Sequence, residues 1–104
     1  MKYLFILLAL FSLCFSGSIF ITLGGSNYTA EMVIMDNISQ PCQSDNPYLD
    51  GCALVGENKA MIARESNIVR VMHHEFVHLW LWHNNKDYGH TKEFREMLNV
   101  LNGD

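Results

Sequence analysis

The spacing of apolar residues changes along this chain, and each change marks an element. After Met1-Lys2, Tyr3–Phe15 is an apolar run of thirteen residues, followed by the small residues Ser16-Gly17-Ser18. Ile19–Leu23 is β-branched and aromatic and is closed by Gly24-Gly25, which predicts a strand. Ala30–Met35 is apolar without a decisive period, so a strand and a short helix both fit. The segment Cys42–Cys52 is rich in Pro, Asp and Asn and reads as a loop. Cys52–Val55 and Lys59–Ala63 then read as two short strands about the turn Gly56-Glu57-Asn58. Ile68–Trp82 is long and apolar nearly all round, the pattern of a buried helix, with Ser66 or Asn67 as its N-cap. Asn84–Gly89 has turn-forming composition. Thr91 is placed to cap a second helix, whose Phe94, Met97, Leu98 and Leu101 follow the i, i+3, i+4, i+7 spacing of a stripe facing the first.

Short strands followed by two helices predict an α+β domain, a small antiparallel sheet and then a two-helix hairpin. A length of 104 residues allows one domain. The single positive charge, apolar run and small residues at the N-terminus read as a secretory signal peptide over residues 1–18, leaving 19–104 as the domain. The run is short of the roughly 20 residues a membrane span needs. Ile19–Leu23 extends it, however, so an uncleaved membrane anchor is the alternative. Both readings put the domain outside the cytoplasm, secreted or tethered; a strand or helix of a cytosolic fold is the remaining alternative for this segment.

The chemistry sits in the long helix, at His74-Glu75-Phe76-Val77-His78, an H-E-x-x-H pattern. Positions i and i+4 lie one turn apart on the same helix face, so His74 and His78 can present two imidazole nitrogens to one ion. Glu75 follows His74 directly, and its carboxylate emerges beside that ion. Zinc with an open coordination position brings its bound water to a pKa of about 7, and a neighbouring carboxylate can take the proton during attack on a carbonyl. Buried polar groups on an apolar helix need partners, and a metal supplies them.

A catalytic zinc site takes a third protein ligand. The continuation H-E-x-x-H-x-x-G-x-x-H is absent, because Leu81 and Asn84 stand at its Gly and His positions. His83, five residues after His78, points about 140° away on a continuing helix. His90 falls at the mouth of the helix hairpin and is the favoured third ligand, with Glu93 and Glu96 of the second helix as alternatives. Tyr88 and His83 are candidate donors to a developing oxyanion. The ordinary reading of His73 and His83 is a solvated or hydrogen-bonded side chain.

These residues resemble a family. His74-Glu75-Phe76-Val77-His78-Leu79-Trp80, a short polar loop, then Tyr88-Gly89-His90-Thr91-Lys92-Glu93-Phe94 is similar to the SprT-like metallopeptidases, in which a third His follows the loop with an aromatic four residues beyond it. It also resembles the compact zincins called minigluzincins. The resemblance covers residues 74–101 and implies one Zn²⁺ held by His74, His78 and His90, with Glu75 as catalytic base. It implies a peptide or protein substrate, bound in zincins as an added strand beside the metal helix; Lys59–Ala63 is the candidate strand. SprT-like enzymes are generally intracellular and many carry a C-terminal zinc ribbon, which residues 74–104 do not contain.

Composition narrows the alternatives. The net charge of −4 and the lack of a Lys/Arg cluster argue against a nucleic-acid partner. Cys42 and Cys52 form an even pair once Cys14 is set aside with the apolar run, and a disulfide between them suits an exported domain this small. Asn27-Tyr28-Thr29 and Asn37-Ile38-Ser39 match the N-glycosylation sequon. The competing functions are a zinc domain without catalysis and a secreted interaction module without metal.

Overall fold

The computed structural model describes residues 14–23 and 25–103. Four strands, β1 (Cys14–Leu23), β2 (Ser26–Met35), β3 (Gly51–Leu54) and β4 (Lys59–Ala63), precede two helices, α1 (Ile68–His83) and α2 (Lys92–Asn102). The α+β class and the order of elements are as the apolar pattern predicts. Of the segment 1–18 read as signal peptide or anchor, residues 1–13 lie outside the described residues, and 14–18 belong to β1.

β1 and β2 form an antiparallel hairpin in which Leu23 pairs with Ser26. Gly25, which precedes Ser26 in the tight connection, takes a left-handed conformation (φ 77°) that such a turn favours. Strand order is β1-β2-β4-β3. The expected antiparallel pairing holds for β1–β2 and β3–β4, whereas β2 and β4 run parallel. The reason lies in burial. Ala60, Met61 and Ile62 of β4 are all buried, so β4 takes the interior place beside β2. The less buried β3 is left as the edge. Residues 36–50 carry the chain across one end of the sheet.

β2 resolves as a strand because its side chains alternate: Tyr28, Ala30 and Met32 are buried on one face while Asn27, Thr29 and Glu31 are exposed on the other, which is covered only from Val33 onward. Tyr28, Ala30 and Met32 join Leu23, Ala60 and Ile62 under Phe76, Val77, Leu79, Trp80 and Leu81 of α1. Val33 faces the other way and meets Ile38 and Met61, with the Cys42–Cys52 disulfide and Leu49 packed beside them. The loop 36–50 thus covers one face of the sheet while α1 covers the other.

α1 starts at Asn67, whose side chain accepts a hydrogen bond from the Arg70 N–H. Asn84 closes it, its backbone N–H bonding to the Trp80 and Trp82 carbonyls, and Asn85 adopts φ 59° as the chain turns. Thr91 caps α2 by accepting from the Phe94 N–H at 3.1 Å. The stripe Phe94, Met97, Leu98 and Leu101 joins the core built on α1, with Phe94 buried. No helix among the described residues is long and apolar enough to cross a membrane.

Replacing Thr91 by Ala removes a cap worth about 1 kcal/mol. Chemical denaturation should show a loss of that size, and Thr91→Ser should restore most of it.

Candidate metal centre

Three elements of local structure bring three imidazoles to one point. The i, i+4 spacing on α1 sets His74 above His78. The turn 84–89 reverses the chain, and His90 arrives just ahead of the α2 cap. The Nε2 atoms of His74, His78 and His90 lie 3.2–3.3 Å from one another, an almost equilateral triangle. Among the described residues this is the one cluster of three or more ligand-type side chains able to hold a metal ion.

The fit can be tested on distance and proton placement. Three nitrogens bound tetrahedrally at about 2.0–2.1 Å from zinc stand about 3.3 Å apart, the spacing seen here. The His78 Nδ1–H donates to the Tyr88 carbonyl at 2.5 Å. A carbonyl only accepts, so the neutral ring keeps its proton on Nδ1 and its lone pair on Nε2, the ligand form. The donor set and its geometry therefore suit a zinc ion.

Phe94 holds the three rings together from behind. Its ring stacks on His78 with centroids 4.4 Å apart and meets His74 and His90 edge-on at 4.9 and 5.0 Å. His90 is anchored further by Arg95, which donates from Nη1 to the His90 carbonyl at 3.1 Å. Burial, together with the nearby His78 and His90, lowers the His74 pKa to about 4, and burial lowers that of His78. Both rings are neutral at neutral pH and need shed no proton to take a cation.

Glu75 is buried at 8% exposure, and burial pushes its carboxyl up to about 7. It lies between two stretches of open surface. One, about 450 Å³, is walled by Asn46 and Tyr48–Gly51 and by Arg70, Val71 and His74 of α1. The other, about 330 Å³, lies between Ala53, Val55 and His78 and the turn residues Tyr88 and Gly89. Together they make a cleft along β3 with Glu75 at its middle.

The other candidates lie elsewhere. Glu93 pairs with Lys86 at 2.9 Å and Glu96 lies 3.9 Å from Lys92, so neither alternative third ligand joins the cluster. His73 Nδ1 bonds to Asn102 at 2.8 Å, tying α1 to the end of α2. His83 packs against the Tyr28 ring at 4.6 Å and is not a member of the triangle. Tyr88 is half exposed and lines the cleft. The expectation that Lys59–Ala63 offers a strand to substrate is corrected: β4 is paired on both sides, so its backbone groups are spent. The free edge beside the centre is β3. Two contributors escaped the sequence reading. The Tyr88 carbonyl acts through its backbone and leaves no mark in the sequence. Gly51, adjoining Cys52, was visible only as a loop glycine.

A small mixed sheet covered by a helix hairpin, with three converging histidines, defines an α+β domain with a centre able to hold one metal ion. The SprT-like family model matches residues 22–104, and the chain belongs to that family. No match was found among curated proteins or among solved structures.

The raised Glu75 pKa has a consequence for stability in the metal-free protein. The folded state keeps this proton longer than the unfolded chain, whose carboxyl has the ordinary value of 4.5. Stability therefore falls as pH rises from about 4.5 to about 7 and levels off above, a total on the order of 3 kcal/mol. Glu75→Gln has no ionisation to suffer. The metal-free variant should melt higher than wild type at pH 8, with the gap closing below pH 5. For metal affinity, His90→Ala should lose about 100-fold or more in a zinc titration, while Glu93→Ala should leave it near wild type.

Proposed function

We propose that the protein is a zinc-dependent endopeptidase, with one Zn²⁺ held by His74, His78 and His90 and Glu75 as general base. The observation that carries this reading is the triangle of Nε2 atoms at 3.2–3.3 Å with a buried carboxylate one residue from His74. When bound, zinc would polarise a scissile carbonyl and make a neighbouring water more acidic. Membership of the SprT-like family supports the same chemistry.

The chain's own residues then have distinct tasks. Glu75 accepts a proton from the attacking water on its carboxylate and delivers it to the leaving amine. Its displaced pKa suits both halves of that transfer, and a cation beside it draws the carboxylate back toward its charged form. The Tyr88 carbonyl keeps the His78 proton on Nδ1. Tyr88 itself is a candidate donor to the oxyanion. The free edge of β3 supports binding of an extended peptide by strand addition, with side chains falling alternately toward and away from α1.

Catalysis is favoured over a purely structural metal site because no fourth protein ligand joins the three histidines among the described residues. The open clefts on either side of Glu75 support the same choice. The Cys42–Cys52 disulfide supports action in an oxidising compartment, outside the cytoplasm.

Glu75→Gln should bind one zinc per chain as wild type does, while turnover of an unfolded protein such as casein drops by about 10²–10⁴. A Glu75→Gln protein that cleaves at the wild-type rate would refute the mechanism, and a wild-type protein that binds zinc without cleaving any polypeptide would refute the activity.

A further inference from the structure

We propose that Gly51, clamped in place by the Cys42–Cys52 disulfide, is a positioning residue for the Glu75 carboxylate. The inference rests on the reading of Glu75 as the base, and it begins from the carboxylate's surroundings. No described residue donates a hydrogen bond to it, so contact alone limits its rotation. The first residue of β3, Gly51, stands beside it. A Cβ built on Gly51 would stand 2.4 Å from Val71 Cγ1, 3.0 Å from Glu75 Oε2 and 3.2 Å from the Met61 carbonyl. Gly51 does not lie among the positive-φ glycines, so its backbone asks for no glycine. Space is the reason: the bare backbone is what lets β3 close on α1 at the level of Glu75.

β3 is poorly placed to hold such a position unaided. It is four residues long and pairs on one side only, and Gly51↔Ile62 is the last pair of its ladder. Strand ends fray unless something holds them. Two bonds do so here. Ala63 N–H donates to the Asp50 carbonyl at 2.8 Å on one side of Gly51. On the other, Cys52 is joined to Cys42, which is fixed by its own N–H to the Ile38 carbonyl at 3.0 Å. Ile38 is fully buried in the core on the opposite face of the sheet. The covalent bond thus links that core to the wall against which Glu75 rests. Residues 43–51, closed by the disulfide, also form much of that side of the cleft, so the same bond sets its width.

The test separates the Glu75 contact from simple crowding of Val71. Val71→Ala removes the valine methyls, and Gly51→Ala is then added to that background. The double variant should bind one zinc per chain, with kcat at least tenfold below V71A and KM within about twofold. Equal kcat in the two proteins would overturn the proposal. A second readout needs no activity. The melting temperature lost on adding Gly51→Ala to V71A should largely disappear when Glu75 is also shortened to Ala. A loss that persists in full would assign the clash to the Met61 carbonyl and overturn the proposal. For the clamp, Cys42→Ser with Cys52→Ser should lower kcat at least fivefold with zinc stoichiometry kept; unchanged kcat would remove the disulfide's part. A wild-type protein without turnover would sink the peptidase reading instead, and the melting cycle would still decide the contact.

Discussion

The seating of α2 on α1 through Phe94 is the contact on which the candidate metal centre depends. Phe94 is buried in the main core and at the same time touches all three histidine rings. Core packing and ligand geometry are therefore one interaction. Two ligands come from a single helix and would keep their spacing in any rigid α1. The third belongs to a different element and reaches the triangle only if the hairpin closes at the correct angle. The apolar stripe from Phe94 to Leu101 sets that angle, and Thr91, the residue after His90, caps α2 and so fixes where it begins.

Electrostatics runs against the fold at this point and in favour of function. Burial suppresses protonation of His74 and His78 and opposes ionisation of Glu75. A cation at the centre of the triangle reverses the sign for Glu75, since it favours the charged carboxylate that desolvation penalises. The metal-free chain therefore carries a stability cost near neutral pH that a bound cation would offset. In a domain of this size, whose core is modest, metal binding and folding free energy are expected to be strongly coupled.

The sheet does more than supply a base for α1. Its most apolar strand, β4, is sealed between two neighbours, which leaves the short β3 as the edge beside the centre. The disulfide and the loop 36–50 stiffen that edge from the opposite face. The cleft is consequently walled by α1, by the turn 84–89 and by a strand whose position is fixed covalently, an arrangement that leaves an open groove along β3.

Much of this was legible in the chain itself. The H-E-x-x-H spacing needs only the 3.6-residue helical turn to place His74 and His78 together, and the apolar periods of α1 and α2 fall within one residue of the observed helices. His90 could be favoured because the turn composition of 84–89 confines it to the hairpin mouth, although Glu93 and Glu96 stayed open until their ion pairs with lysines were seen. What local pattern could not supply was the pairing of strands. Met32–Met35 is apolar at every position and covered in part on both faces, so that end of the strand shows no alternation. Whether β3 or β4 lies outside depends on the relative burial of two strands that read alike in sequence. Only the tertiary structure decided that β3 is the edge, that Gly51 meets Glu75, and that a backbone carbonyl of Tyr88 orients His78. Each of these is a contact between residues distant along the chain, where spacing carries no information and packing makes the choice.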